Sequence, residues 1–300
     1  MEREKLQEDL EFSRMVYGMW RLAEWNMTTK EIIARIEGCL ELGITTFDHA
    51  DIYGNYTCEE RFGEALAQQP ALRERMEIVT KCGIRLVSPH RPANRIKHYD
   101  TSKEHIIQSV NQSLKNFRTD TIDLLLIHRP DPLMNPEEVA EAFAELKKEG
   151  KVRHFGVSNF LPSQFDMLQS YLDVPLVTNQ VEVSVAHLNQ FDNGTIDHCL
   201  RNRIKPMVWS PVAGGRLFSS DEERYIRLRG TLSAIAKEVN AASIDQVMYA
   251  WILQHPATML PIIGSGNFER VTSAVQALEI KLTRQHWFEI WRSSLGRDVD

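Results

Sequence analysis

No stretch of this chain approaches the ~18 consecutive apolar residues that a membrane-spanning helix requires. The first ten residues, Met-Glu-Arg-Glu-Lys-Leu-Gln-Glu-Asp-Leu, carry acidic charge and lack an apolar centre, so they do not read as a secretory signal. Cysteine is sparse: Cys39, Cys58, Cys82 and Cys199 are scattered, with no CxxC pair. That spacing argues against a thiolate metal site and against a disulfide framework, and suits reduced thiols in the cytoplasm. Cys82 adjoins Lys81, which raises the question of a reactive thiol; the ordinary role of a free cysteine is a small buried hydrophobe. Neither charge sign forms a long run, and the net charge is −6. This disfavours a nucleic-acid or membrane partner, although a local pocket can still attract an anionic cofactor. There is no Pro/Gly/Ser-rich linker and no shift in composition, so no boundary divides the chain. Nothing in the sequence marks a subunit interface, so an oligomer is not indicated.

The chain has 300 residues, 43% apolar and 25% charged, the range of an ordinary globule. Short apolar runs alternate with longer amphipathic ones. Strands are expected near Arg14–Gly18, Thr45–Phe47, Ile78–Lys81, Leu124–His128, Arg153–Val157, Val177–Val181, Pro206–Ser210 and Met259–Ile263. Helices are expected over Thr29–Leu42, Glu59–Ala67, Ser102–Asn116, Pro136–Glu149, Pro162–Tyr171, Gly194–Asn202, Asp221–Val239 and Ala241–His255. Thr101-Ser102-Lys103-Glu104 reads as a capping box, and Asn135-Pro136 as a capped start with proline at the first helical position. Runs such as Leu-Leu-Leu-Ile fit strands covered on both faces, as in parallel sheets. The α/β pattern predicts a single (β/α)8 TIM barrel domain over 1–300, with 1–12 as an N-terminal extension and 283–300 as a C-terminal tail helix. A doubly wound open sheet is the structural alternative; no GxGxxG follows the first strand to support it. Gly83–Asp100 is a long loop after the third strand, with Arg85, Arg91, Arg95, Lys97 and His98 either covering an anionic cofactor or facing solvent. Trp287 and Trp291, four residues apart, read as helix packing.

Four residues sit at or just beyond predicted strand ends: Asp48, Tyr53, Lys81 and His128. In a barrel these ends share one face, where active sites are built. Singly, each has an ordinary structural use, as a cap, a packed ring, a surface charge or a core histidine. Together they suit carbonyl reduction. Hydride delivery to a carbonyl creates an alkoxide that needs a proton. A tyrosine, ordinarily near pKa ~10, donates it poorly at neutral pH without help. A lysine ammonium beside the hydroxyl favours phenolate and lowers that pKa; an aspartate keeps the ammonium charged. A histidine can donate to the carbonyl oxygen as charge develops. A competing use is a metal site built from Asp48, His49, Asp51 and His128, but Lys81 repels a cation there. Trp20 and Trp25 can both wall an apolar cleft for aldehydes and ketones of moderate size; for Trp25 packing against a surface loop is the equal alternative.

The set Asp48, Tyr53, Lys81 and His128, in this order, resembles the catalytic tetrad of the aldo-keto reductases. The surrounding words agree: Phe-Asp-x-Ala-x-x-Tyr-Gly at 47–54, Leu-Ile-His-Arg-Pro at 126–130, Gly-Val-Ser-Asn-Phe at 156–160 and Asn-Gln-Val at 179–181. Asp-His-Ala-Asp-Ile-Tyr-Gly, His-Arg-Pro-Asp-Pro-Leu-Met and Pro-Ile-Ile-Gly-Ser-Gly are similar to the bacterial YdhF-like oxidoreductases. The resemblance runs from about Ser13 to about Leu282 and implies an NADP(H)-dependent reductase of aldehydes and ketones. It implies that Ser158, Asn159 and Gln180 bond the nicotinamide carboxamide, that Trp209 stacks on the ring, and that Gly18, Met19 and Ser210 line the cofactor. Val212–Leu217, with Gly214 and Arg216, offers small residues and backbone amides to a pyrophosphate. Ser265 and Asn267 precede a helix carrying Arg270, a setting for a ribose phosphate. Many relatives place a lysine where this chain has Gly264, and a small Ser or Thr where it has His49. The alternative function is a cofactor-sensing or accessory subunit on the same barrel, since fold alone does not decide activity.

Overall fold

A computed structural model describes residues 1–299. Twelve strands are present among them. Two form an antiparallel hairpin at the start, β1 (Arg3–Gln7) and β2 (Leu10–Ser13). Next come β3 (Val16–Gly18), β4 (Thr46–Asp48) and β5 (Glu77–Cys82). A second small hairpin, β6 (Ile84–Arg85) with β7 (His98–Tyr99), follows. The rest are β8 (Ile122–Ile127), β9 (Val152–Ser158), β10 (Leu176–Glu182), β11 (Met207–Trp209) and β12 (Leu260–Ile263). Eight of them close into a barrel in the order β10-β11-β12-β3-β4-β5-β8-β9, so the predicted (β/α)8 architecture is the observed one.

The chain divides into two compact units, Met1–Gln180 and Val181–Asp300. In the first, β8 is buried at every position and pairs in parallel register with β9, from Ile122 opposite Val152 to Ile127 opposite Val157. Covering on both faces explains why Leu-Leu-Leu-Ile carries no alternation. The helix Pro136–Lys148 starts where the sequence places it, with Asn135 accepting from the Glu137 amide and proline at its first turn. The capping box at 101–104 does not form. Ser102 is the cap, accepting from the His105 amide, while the Thr101 hydroxyl donates to Asp131. With His105 three residues past the cap, no carboxylate reaches back.

Residues 1–12 form more than an extension. Leu10 and Phe12 are buried, and Arg3 bonds Thr45 and Glu77 while Ser13 bonds the Thr45 and Thr46 amides. The hairpin thereby closes the end of the barrel where β4 and β5 begin. The loop 83–100 is also partly ordered by β6 and β7, and Arg85 pairs with Asp100 at 2.9 Å.

In the second unit a core of Val181, Val208, Leu228, Leu232, Met248 and Trp251 is sealed by Trp287 and Trp291 of the helix Arg284–Leu295. The Trp251 and Trp287 rings stack 4.7 Å apart, and each indole N–H donates to the other's main-chain carbonyl. The two C-terminal tryptophans are packing residues, as their spacing indicates. No helix of the described residues is long and apolar enough to cross a membrane.

Candidate active site

Lys81 is the centre of the site. Its side chain is fully buried in β5, and an ammonium in that position survives only if its protons are taken. Nζ donates to both oxygens of Asp48 at 2.8 Å, to the His49 carbonyl at 2.7 Å and to the Tyr53 hydroxyl at 3.1 Å. Burial alone would lower the lysine pKa; Asp48 and Tyr53 outweigh it and hold the ammonium above its ordinary value. Asp48 is fixed in turn by Gln180, whose Nε2 donates to Oδ1 at 2.7 Å. β4 and β5 run side by side with Asp48 opposite Val79, which places the carboxylate and the ammonium at the same end of adjacent strands.

Tyr53 begins a tight turn. Gly54, Asn55 and Tyr56 all have positive φ, and the turn delivers the Tyr53 hydroxyl back over Lys81. A Cβ on Gly54 would lie 2.5 Å from Cys58 Sγ and 2.7 Å from Ala23 Cβ, so the turn requires glycine for space as well as conformation. Burial raises the Tyr53 pKa and Lys81 pulls it down; the net direction is up. Lys81 thus acts on the phenol in the direction the sequence indicates, and the low-dielectric surroundings outweigh it, so the hydroxyl keeps its proton at neutral pH.

His128 follows β8, its amide donating to the Cys82 carbonyl at 2.8 Å. Its ring lies edge-on to Tyr53 with centroids 6.0 Å apart. Burial first, then Lys81, Arg129 and Lys97, push its pKa well below the usual histidine range, so the imidazole is neutral. A neutral ring with one N–H is a hydrogen-bond donor that does not compete with Tyr53 for the role of acid.

Asp48, Tyr53, Lys81 and His128 are therefore assembled as the sequence places them. The rival metal set is not: His49 turns its ring between Phe62 and Phe117, and Asp48 is engaged by Lys81 and Gln180. Trp25 stacks on Tyr17 at 5.9 Å, which selects packing over a substrate wall, whereas Trp20 is 57% exposed with Arg21 over its ring. The Cys82 thiol is buried and pushed well above its ordinary pKa by burial and by Asp51, Glu59 and Asp100, the opposite of a reactive thiol.

The predicted carboxamide ligands sit beside the tetrad. Ser158 Oγ donates to the Gln180 carbonyl, and Asn159, at φ 62°, donates from Nδ2 to Ser158 Oγ at 2.8 Å. Gly18 and Met19 close β3, where the Met19 amide donates to the Asp48 carbonyl; both are buried. Within the second unit, Trp209 ends β11, and Ser210, Ala213, Gly214 and Gly215 all have positive φ. Nothing lies within 4 Å of a Cβ built on Gly214 or Gly215, so this turn leaves open room above its backbone before Arg216. Asn267 caps the helix Phe268–Gln276 by accepting from the Arg270 amide, and Ser265 accepts from the Asn267 amide. Arg270 is exposed on the first turn.

One feature had no sequence signal. Glu59 is buried, accepting from Thr80, Ser113 and Asn116 behind β5, and burial raises its pKa. No spacing rule joins residues so far apart.

The aldo/keto reductase family model matches residues 14–293, and the chain belongs to that family. It is 56% identical to the oxidoreductase YdhF of Escherichia coli over 96% of each chain. It is 44% identical to a 6-dehydroglucose reductase of Agrobacterium fabrum over the whole of both chains. Among solved structures, a thermostable aldo-keto reductase in complex with the inhibitor epalrestat superposes with a TM-score of 0.81 at 26% identity, covering 98% of this chain and 100% of that one.

Proposed function

We propose that this protein is an NADP(H)-dependent carbonyl reductase with Tyr53 as proton donor. The observation that carries the reading is the buried Lys81 ammonium, shared between Asp48 and the Tyr53 hydroxyl. The open glycine turn at 214–215 and the helix start at 267–270 fit a phosphorylated dinucleotide in room and in hydrogen-bond character. Ser158, Asn159, Gln180, Trp209, Ser210, Gly214, Arg216, Ser265, Asn267 and Arg270 are the residues assigned to hold it. When bound, the reduced nicotinamide supplies the hydride. The neutral His128 orients the carbonyl by donating to its oxygen. Tyr53 releases its proton to the same oxygen as charge develops, and the adjacent ammonium stabilises the phenolate left behind. Asp48 keeps that ammonium charged through the step.

The substrate is a small aldehyde or ketone. Because the Agrobacterium relative bears the name 6-dehydroglucose reductase, sugar aldehydes lead the panel to be tried. The test is NADPH consumption with sugar aldehydes, activated aldehydes, quinones and ketones, wild type beside Tyr53→Phe. Wild type turns over, while Tyr53→Phe binds NADPH with unchanged affinity and loses ~10²–10⁴-fold in kcat, the usual worth of a positioned acid. Equal turnover by both proteins refutes the assignment.

A further inference from the structure

We infer that the His49 side chain is a positioning element for Lys81: its ring, wedged edge-on between Phe62 and Phe117, orients the main-chain carbonyl that holds the ammonium. The inference rests on the reading of Lys81 and Tyr53 as reductase machinery. His49 is wholly buried, with ring centroids 4.5 Å from Phe62 and 4.9 Å from Phe117, both nearly perpendicular. Neither ring nitrogen has a hydrogen-bond partner. The ring therefore carries positional information through shape alone. The His49 amide donates to the Val79 carbonyl at 2.8 Å, and the Asp51 amide to the Lys81 carbonyl at 3.0 Å. These bonds fix the peptide planes before and after. The plane that bears the His49 carbonyl lies between them, and the side chain at its edge orients it. That carbonyl makes the shortest contact of the ammonium, 2.7 Å against 2.8 Å to Asp48 and 3.1 Å to Tyr53. If the carbonyl swings away, Lys81 shifts toward Asp48 and its hold on the phenol slackens.

The experiment is the pH dependence of kcat in the reduction direction for wild type, His49→Ala and His49→Phe, each with NADPH. The groups that face the Tyr53 hydroxyl are Lys81, Asp48, His128 and Cys58, and all are retained in the three proteins. His49→Ala lowers kcat, by up to the ~10²-fold that a slight misplacement costs. It also moves the alkaline limb to higher pH, because a looser ammonium leaves Tyr53 less acidic. His49→Phe, with the same flat shape and no ring nitrogens, returns the limb to its wild-type place. If His49→Ala does not fold, His49→Leu takes its place and shows the same displaced limb. A limb that stays put in the alanine or leucine variant overturns the inference, as does a phenylalanine variant displaced as far as alanine. Wild-type turnover that survives Tyr53→Phe removes the underlying reading instead. Tyr53-dependent turnover with an unmoved limb removes this inference alone.

Discussion

Replacing His49 by phenylalanine converts the most enclosed titratable ring of the site into one that cannot take a proton, and the consequence is a pH-dependent stability difference of known sign. Burial, reinforced by Lys81, pushes the imidazole well below the ordinary histidine value. In the unfolded chain the same ring titrates near ~6.5. Below that pH the unfolded state holds one proton more than the folded state, so the wild type loses stability as pH falls. The slope is about 1.4 kcal/mol per pH unit until the folded pKa is reached. Phenylalanine has no such slope. Between about pH 7.5 and about pH 5.5 the stability of His49→Phe relative to wild type therefore rises by about 1.4 kcal/mol.

The pH-independent part is a difference of opposing contributions. Removing two buried unpaired nitrogens gains about 2–6 kcal/mol in all, while fitting a larger ring costs about 1–3 kcal/mol, and the remainder depends on how the pocket relaxes. For this reason the slope, not the offset, is the informative quantity. Other buried groups also titrate. His105, His128, His154 and His255 are held low and weaken the fold as pH drops, whereas Asp51 and Glu59 are held high and strengthen it. They are common to both proteins and drop out of the difference. Urea unfolding of the two proteins at several pH values measures it. A difference that stays flat from neutral pH to about pH 5.5 means His49 takes up its proton normally in the folded state and refutes the enclosure on which the reasoning depends.

Arg270→Ala weakens NADPH by about tenfold or more, the loss of a charge-assisted bond, and leaves NADH nearly unchanged, read by fluorescence titration with each cofactor; equal losses on both remove the phosphate assignment. Gly54→Ala introduces a Cβ into space held by Cys58 and Ala23 at φ 57°, so it destabilises the fold by about 1–3 kcal/mol and lowers kcat by displacing Tyr53. A variant with wild-type melting and rate shows that the turn reshapes freely.

The barrel and the meeting of Lys81 with His128 were legible because both follow from strand polarity. Once Ile-Asp-Leu-Leu-Leu-Ile and Glu-Ile-Val-Thr-Lys read as parallel strands, their last residues must share one rim, and Lys81 and His128 fall there with no further information. Elements that depend on few residues were not legible. β6 and β7 contain two residues each, too short for any period to register. The opening hairpin alternates over only four or five residues on either side of Glu8-Asp9, and it is tied to the barrel by Arg3 reaching Glu77, a pairing invisible along the chain. The helix start at 102 shifted by one residue because Thr101 had a tertiary partner in Asp131, which local capping rules do not see. For Tyr53 the downward pull of the neighbour Lys81 was readable, but the depth of burial that outweighs it was not.

That depth changes what the lysine is for. A Tyr53 with its pKa brought down to the operating pH would rest partly as phenolate, the form that accepts a proton in alcohol oxidation. A Tyr53 held up by burial rests protonated, next to a neutral His128, so both groups proposed to meet the carbonyl oxygen enter as donors. Lys81 then matters most after the proton has left, when a phenolate would otherwise stand uncompensated in a buried site. Asp48, the His49 carbonyl and Gln180 behind Asp48 keep the ammonium charged and in place for that moment, at the cost of burying a full ion pair. In the proposed reaction this resting arrangement favours reduction, and the reverse oxidation gains only as rising pH removes the Tyr53 proton.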